Sequence, residues 1–427
     1  MRIKLSAKLR KVKNTSSKPR YWKTIFKFDF LTTQIFQSIL LRRLFNMEIA
    51  ENRVFGLDIL RFIAIFMVLL GHSLILAPQS VKKVVNPFLY DGVAIFFVLS
   101  GFLIGGILLK LLNKGAASWA GLIDFWKRRW MRTLPVYLFV LLYLLIYTGL
   151  VLPEKFPSEW YRFFFFIQNI FGHHRPGFFA EAWSLSIEEW FYLSVPLLIF
   201  GALIIFKTGT KNTILAVCLL IIGLVTWYRY HLYYQYGFPS HPNPLQIKQF
   251  QDFLNKEIEY QVIPRLDSIM YGVLAAYIAF YYPKWWSKKY NFVLLLLGVF
   301  LLFYTKFHMG KTYGPFNNIW CPSLKSLAVF FMLPFMANLK KGFGKWTIWV
   351  TFFSLISYSM YLINLNVVII TIIKQTIHGN YSSKKFIPSD TWYLDYGLFW
   401  LLTIGISFVL YQLIEVPFMK LRDKKKA

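Results

Sequence analysis

Ten apolar runs punctuate this chain, at about residues 57–77, 88–112, 134–152, 184–206, 212–228, 266–282, 291–308, 321–338, 347–373 and 396–414. Most match the roughly 17–25 residues that a helix needs to cross the hydrocarbon core of a bilayer. In lipid every backbone N–H and C=O must find a partner inside the chain, so such runs fold as helices. A soluble domain of 427 residues fills its core with less than the 57% apolar content found here. The fold class that follows is an all-α polytopic membrane protein with about ten transmembrane helices.

The formal charge of +29 comes from 48 Lys and Arg against 19 Asp and Glu. No nucleic-acid-binding motif accompanies it. In a polytopic chain, basic residues collect in cytoplasmic loops against anionic headgroups, so anionic lipid is the partner the charge implies. With the N-terminus inside, KLLNKGAASWAGLIDFWKRRWMR, FKTGTKN, YPKWWSKKYN, NLKKGFGKW and MKLRDKKKA become inner segments, and each is basic. In the opposite link 229–265, Arg229, Lys248, Lys256 and Arg265 are nearly balanced by Asp252, Glu257 and Glu259. Both termini are therefore expected in the cytoplasm.

Residues 1–46 are densely basic and lack a signal-peptide core, so they read as a cytoplasmic arm or a misassigned start. Met47 opens the membrane domain, 47–427, and no further domain is expected after the final KKKA. Cys218 and Cys321 stand in different apolar runs without metal-ligand spacing, so neither a disulfide nor a metal is expected.

Ionisable residues inside membrane helices are costly and point to function. The first run carries Arg61 and His72, eleven positions apart. At 100° per residue they share one helix face, separated by about 16 Å along the axis. Arg61 then lies toward the cytoplasm and His72 toward the outer half. Alone, Arg61 reads as a snorkelling flank and His72 as a hydrogen-bonded interfacial ring. In the second run, Gly101, Gly105 and Gly106 read as sites of close helix approach, and Ser100 as a mid-depth hydrogen-bonding residue.

FWKRRWMRTLP, read as an inner loop, places Arg129 and Arg132 three apart. On one helical face they make a phosphate clamp; otherwise they are plain positive-inside flanking. Trp126 and Trp130 suit a headgroup belt or stacking on a base. In WSLSIEEW, Ser184, Glu188 and Tyr192 form an i, i+4, i+8 stripe, while Glu189 points about 100° away. Glu188 is expected to face a cavity as the partner of His72, with Glu189 in support or reserve. A carboxylate beside a histidine orients the ring and raises its basicity.

Taken together, these stretches resemble the acyltransferase-3 family of integral membrane acyltransferases, which O-acylate cell-envelope glycans. The likeness covers about residues 53–418 and rests on GLDILRFIAIFMVLLGHS, GVAIFFVLSGFLIGG, RRWMRTLP, WSLSIEEWFYLSVP, SYSMYLINLNVV and YQLIEVPFMKLR in that order. It implies an acyl-CoA donor, usually acetyl-CoA, on the cytoplasmic side of a bacterial inner membrane. The acceptor would be a hydroxyl of a glycan, a glycoside or a lipid-linked saccharide outside. It makes His72 the catalytic histidine, with Glu188 or Glu189 beside it, and Arg61, Arg129 and Arg132 the donor-binding arginines. Ser100, Tyr192 and Tyr361 are further substrate-binding candidates.

Two departures stand out. Ala94 occupies a position where the family often has aspartate, here found earlier at Asp91. Ile363 and Asn364 stand where the family often has Trp-His. The outer segments 153–183 and 229–265 are expected to shape acceptor choice, with His173 and His174 as solvated loop residues. A transporter or flippase of a lipid-linked saccharide is the alternative, without a clear inverted repeat to support it.

Overall fold

The computed structural model describes residues 53–113, 118–170, 177–207, 209–237, 243–307, 315–342, 344–380 and 390–424. Residues 1–46, His173 and His174 lie outside them. The chain divides into a main unit, Val54–Gly342 with Val350–Ala427, and a smaller one, Met1–Arg53 with Phe343–Trp349. Of the smaller unit, Arg53 and residues 344–349 are described.

Ten helices correspond to the ten apolar runs: α1 Phe55–Ser73, α2 Gly92–Asn113, α3 Trp119–Val151, α4 Ala182–Phe206, α5 Thr210–Tyr236, α6 Leu266–Tyr281, α7 Asn291–Phe307, α8 Pro315–Asn338, α9 Trp346–Ile363 and α10 Trp392–Leu410. Nine helical spans among the described residues are long and apolar enough to cross a membrane, and α7, at 17 residues, is shorter. The described residues contain no strand. The chain is a multi-pass membrane protein.

Helix α2 is at the centre of the packing. A Cβ on Gly101 would lie 1.9 Å from the Ile269 carbonyl oxygen of α6, and one on Gly272 2.0 Å from the Val98 oxygen. The two backbones touch because neither position carries a side chain, which is how helices gain contact in lipid. Gly105 also faces α6, but Gly106 has open space around it, so it takes no part in the approach expected for all three.

Two sequence expectations change. The stretch read as an inner loop before residue 134 is helical from Trp119, in one helix of 33 residues. Ser118 caps it by accepting from the Gly121 N–H, and Leu122 and Phe125 are buried against the core. Pro135 sits inside this helix without ending it. Arg229, assigned to a balanced outer link, is instead fully buried in α5. It forms a two-pronged pair with Asp267, at 3.1 and 2.8 Å, and Ser323 also bonds to both partners. Removing one member of such a buried pair costs roughly 3–5 kcal/mol.

After Ile363, α9 widens into π-type winding over Asn364–Ile377. Such winding is rare and shifts the hydrogen-bond register, leaving backbone groups to be satisfied by other partners. The Glu181 side chain, just before α4, satisfies two of them here.

Candidate active site

Two cavities lie on either side of a common wall formed by Val93 of α2 and Tyr361 of α9, which line both. The first is a narrow chamber of ≈ 120 Å³ whose polar lining includes Arg61, Arg129, Arg132, Ser100, Glu188 and Tyr192. The second, of ≈ 710 Å³, holds His72, Asp91, Glu181, Glu259 and Lys325.

In the arginine chamber the i, i+4 stripe of α4 faces the cavity. The Ser100 hydroxyl donates to Glu188 Oε1 at 2.8 Å, and the Tyr192 hydroxyl donates to Oε2 at 2.9 Å. Glu189 points elsewhere, accepting from Trp130 Nε1 at 3.1 Å and Thr133 Oγ1 at 2.9 Å. Trp126 Nε1 donates to the Tyr192 carbonyl, so both indoles already have protein partners. The helical extension of α3 brings Arg129 and Arg132 to the same cavity. Neither forms an ion pair among the described residues, and Arg129 Nε is buried without a hydrogen-bond partner. Arg61 is held by Asp58 at 3.0 Å, and Ser354 donates to the same carboxylate oxygen at 2.8 Å. Three guanidinium groups therefore converge on one chamber, an arrangement suited to phosphate.

In the histidine chamber, His72 Nδ1 lies 2.5 Å from Asn364 Oδ1. The Asn364 amide nitrogen donates to the carbonyls of Met360 and Tyr361, at 3.1 and 2.7 Å, which fixes the amide orientation. Its oxygen must then accept, so Nδ1 carries the ring proton and Nε2 keeps its lone pair. The expected contact between His72 and Glu188 is not the one present. Glu188 lies in the arginine chamber, held by Ser100 and Tyr192, and His72 is oriented by an amide from α9. The physical reason is depth. The segment before α4 folds back against the π-wound stretch, placing Glu181 in the histidine chamber and Glu188, two helical turns later, in the arginine chamber.

That fold-back is tightly laced. Glu181 Oε1 accepts from the N–H groups of both Leu365 and Asn366 at 2.9 Å. These are the donors displaced when the winding widens. Asn366 returns the bond by accepting from the Ala180 N–H at 2.8 Å and donating to the Gly177 and Phe178 carbonyls. Glu181 Oε2 is buried without a partner. Burial pushes the carboxyl up to about 7 against the pull of the backbone donors. The Tyr361 hydroxyl sits 2.6 Å from Ser184 Oγ, closing the wall.

Asp91 accepts from the Ala94 N–H at 3.0 Å and pairs with Lys325 at 3.1 Å and Arg265 at 3.6 Å. Sequence reasoning picks out Asp91 and Asn364 as departures and passes over Glu181 and Lys325. The one signal for Glu181 is a lone carboxylate just ahead of an apolar run, in EAWSLSIEEW.

A family model described as an acyltransferase domain matches residues 54–414. O-acetyltransferase OatA of Staphylococcus aureus (strain NCTC 8325 / PS 47) is 28% identical over 262 residues, which cover 57% of this chain and 38% of the relative. Peptidoglycan O-acetyltransferase OatA of Listeria monocytogenes serovar 1/2a is 32% identical over 151 residues, 32% of this chain and 23% of the relative. The matched stretches thus span less than half the length of these curated relatives. No solved structure matches the chain significantly.

Proposed function

The chain belongs to the acyltransferase family whose model it matches, and on that premise we propose that it is a membrane O-acetyltransferase of cell-envelope glycans. The observation that carries this reading is the pair of abutting cavities, one lined by arginines and the other by a histidine, with Tyr361 and Val93 between them. The donor is an acyl-CoA, most simply acetyl-CoA, whose phosphates meet Arg129 and Arg132. The narrow chamber suits an extended thioester arm, with the nucleotide outside it. By the positive-inside distribution this end faces the cytoplasm, and the wider histidine chamber faces outward.

In the histidine chamber the acceptor is a sugar hydroxyl. His72 Nε2 takes the hydroxyl proton as the oxygen attacks the thioester carbonyl. The C–S bond breaks, the acetyl ester forms, and the thiolate recovers a proton. Asn364 holds the ring in the tautomer this needs. The thioester must reach past Tyr361, so that side chain shifts during transfer. The name of the Listeria relative favours peptidoglycan as the glycan.

The test is the base-labile acetate on envelope glycans of cells with and without the protein, and with His72→Ala. The wild type adds acetate and the variant adds none at equal membrane abundance. Equal acetate in both would refute the role of His72. Substrate movement without acyl-CoA consumption would favour a transporter.

A further inference from the structure

Neither motif nor spacing singles out Glu181, yet it is the most deeply placed carboxylate of the histidine chamber, at 2% exposure. Its two oxygens do different things. Oε1 accepts two backbone N–H groups and so caps the start of the π-wound stretch. Oε2 is buried and has no partner. A buried carboxylate oxygen left unpaired is costly, and its persistence calls for an explanation. A capping role needs one oxygen, so it accounts for half of this group.

The other carboxylates of the chamber are placed differently. Asp91 is engaged by Lys325, Arg265 and the Ala94 N–H. Glu259 is only partly buried and lies on a separate segment. Glu181 is tied to His72 through a short chain of contacts. It bonds to Leu365 and Asn366, the two residues directly after Asn364, and Asn364 holds the His72 ring.

Resting on the proposed function, we propose that Glu181 binds the acceptor, with Oε2 accepting a hydrogen bond from a second hydroxyl of the glycan and thereby presenting the attacked hydroxyl to His72. The ligand class is a glycan with a second free hydroxyl within reach of the attacked one, on the same sugar or on the next. Carboxylates suit this task because a charge-assisted hydrogen bond to a hydroxyl is about twice as strong as a neutral one.

Two substitutions separate this role from capping. Glu181→Gln keeps an oxygen for the Leu365 and Asn366 donors and replaces the free oxygen with an amide nitrogen. Glu181→Ala removes both functions. Each full-length variant is measured for melting temperature, for thermal stabilisation by acetyl-CoA, and for base-labile acetate on the envelope glycans of expressing cells. For Glu181→Gln, the expectation is wild-type melting and wild-type stabilisation by acetyl-CoA, with initial acetylation rates about tenfold lower. Glu181→Ala is expected to lose melting temperature as well. Wild-type acetylation by Glu181→Gln would overturn the proposal and leave Glu181 as a cap. If the wild type itself adds no acetate, the functional reading fails and takes this proposal with it.

Discussion

In the arginine chamber most polar groups come from short repeats in the sequence, whereas in the histidine chamber they come from segments far apart in it. Arg129 and Arg132 are one turn apart on α3, and Ser184, Glu188 and Tyr192 recur along one face of α4. His72, by contrast, meets Asn364 from nearly three hundred residues away, and Glu181 joins them by a fold-back. The first chamber is set by helix periodicity and the second by tertiary packing. Substitutions in one should therefore leave the ligand of the other largely untouched.

The largest expected effect is on the histidine side. His72→Ala should lower acetyl transfer by about 10²–10⁴-fold, the usual contribution of a positioned base. It should leave acetyl-CoA binding intact. Parallel loss of donor binding would break the separation of the chambers. Next, Arg129→Ala/Arg132→Ala should weaken acetyl-CoA by roughly tenfold to a hundredfold, measured as the KM for the donor, through the loss of charge-assisted bonds. The acceptor KM should stay near the wild-type value.

Smaller effects sharpen the contrast within each chamber. Asn364→Leu removes the acceptor for His72 Nδ1–H and should slow transfer roughly tenfold by letting the ring turn. Unchanged transfer would mean that another group holds the ring. Gly101→Ala places a methyl against the Ile269 carbonyl and should cost ~1–3 kcal/mol in stability, read as a lower melting temperature. Because α2 lines both chambers, any loss of activity there should affect donor and acceptor KM together.

Helix count and the residues that share a helix face are legible in the sequence because both follow from spacing within single helices; that Arg61, Arg129, Arg132 and Glu188 meet in one cavity is not. The stripe 184, 188, 192 separates Glu188 from Glu189 by periodicity alone, and their hydrogen bonds diverge accordingly. The bonding partner of His72 is not legible. Nothing local to GHS announces an amide on α9, and Glu188 is the nearest chemically plausible carboxylate in the sequence pattern. The π-wound stretch has no composition signature, so the backbone donors that recruit Glu181 are invisible too. Arg229 is misjudged because charge counting treats every basic residue near a link as solvated. Only packing reveals that Asp267 lies opposite it. Residues 119–133 read as a loop because their charge hides the buried Leu122 and Phe125.

That donor and acceptor occupy separate chambers is tested most directly by thermal stabilisation of the purified protein with acetyl-CoA, comparing wild type, His72→Ala and Arg129→Ala/Arg132→Ala. Binding to the folded state raises the melting temperature, and the rise grows with ligand excess over Kd. Separate chambers predict equal stabilisation of wild type and His72→Ala, and little or none for the arginine variant. Equal stabilisation of all three, or loss of it in His72→Ala alone, would contradict them.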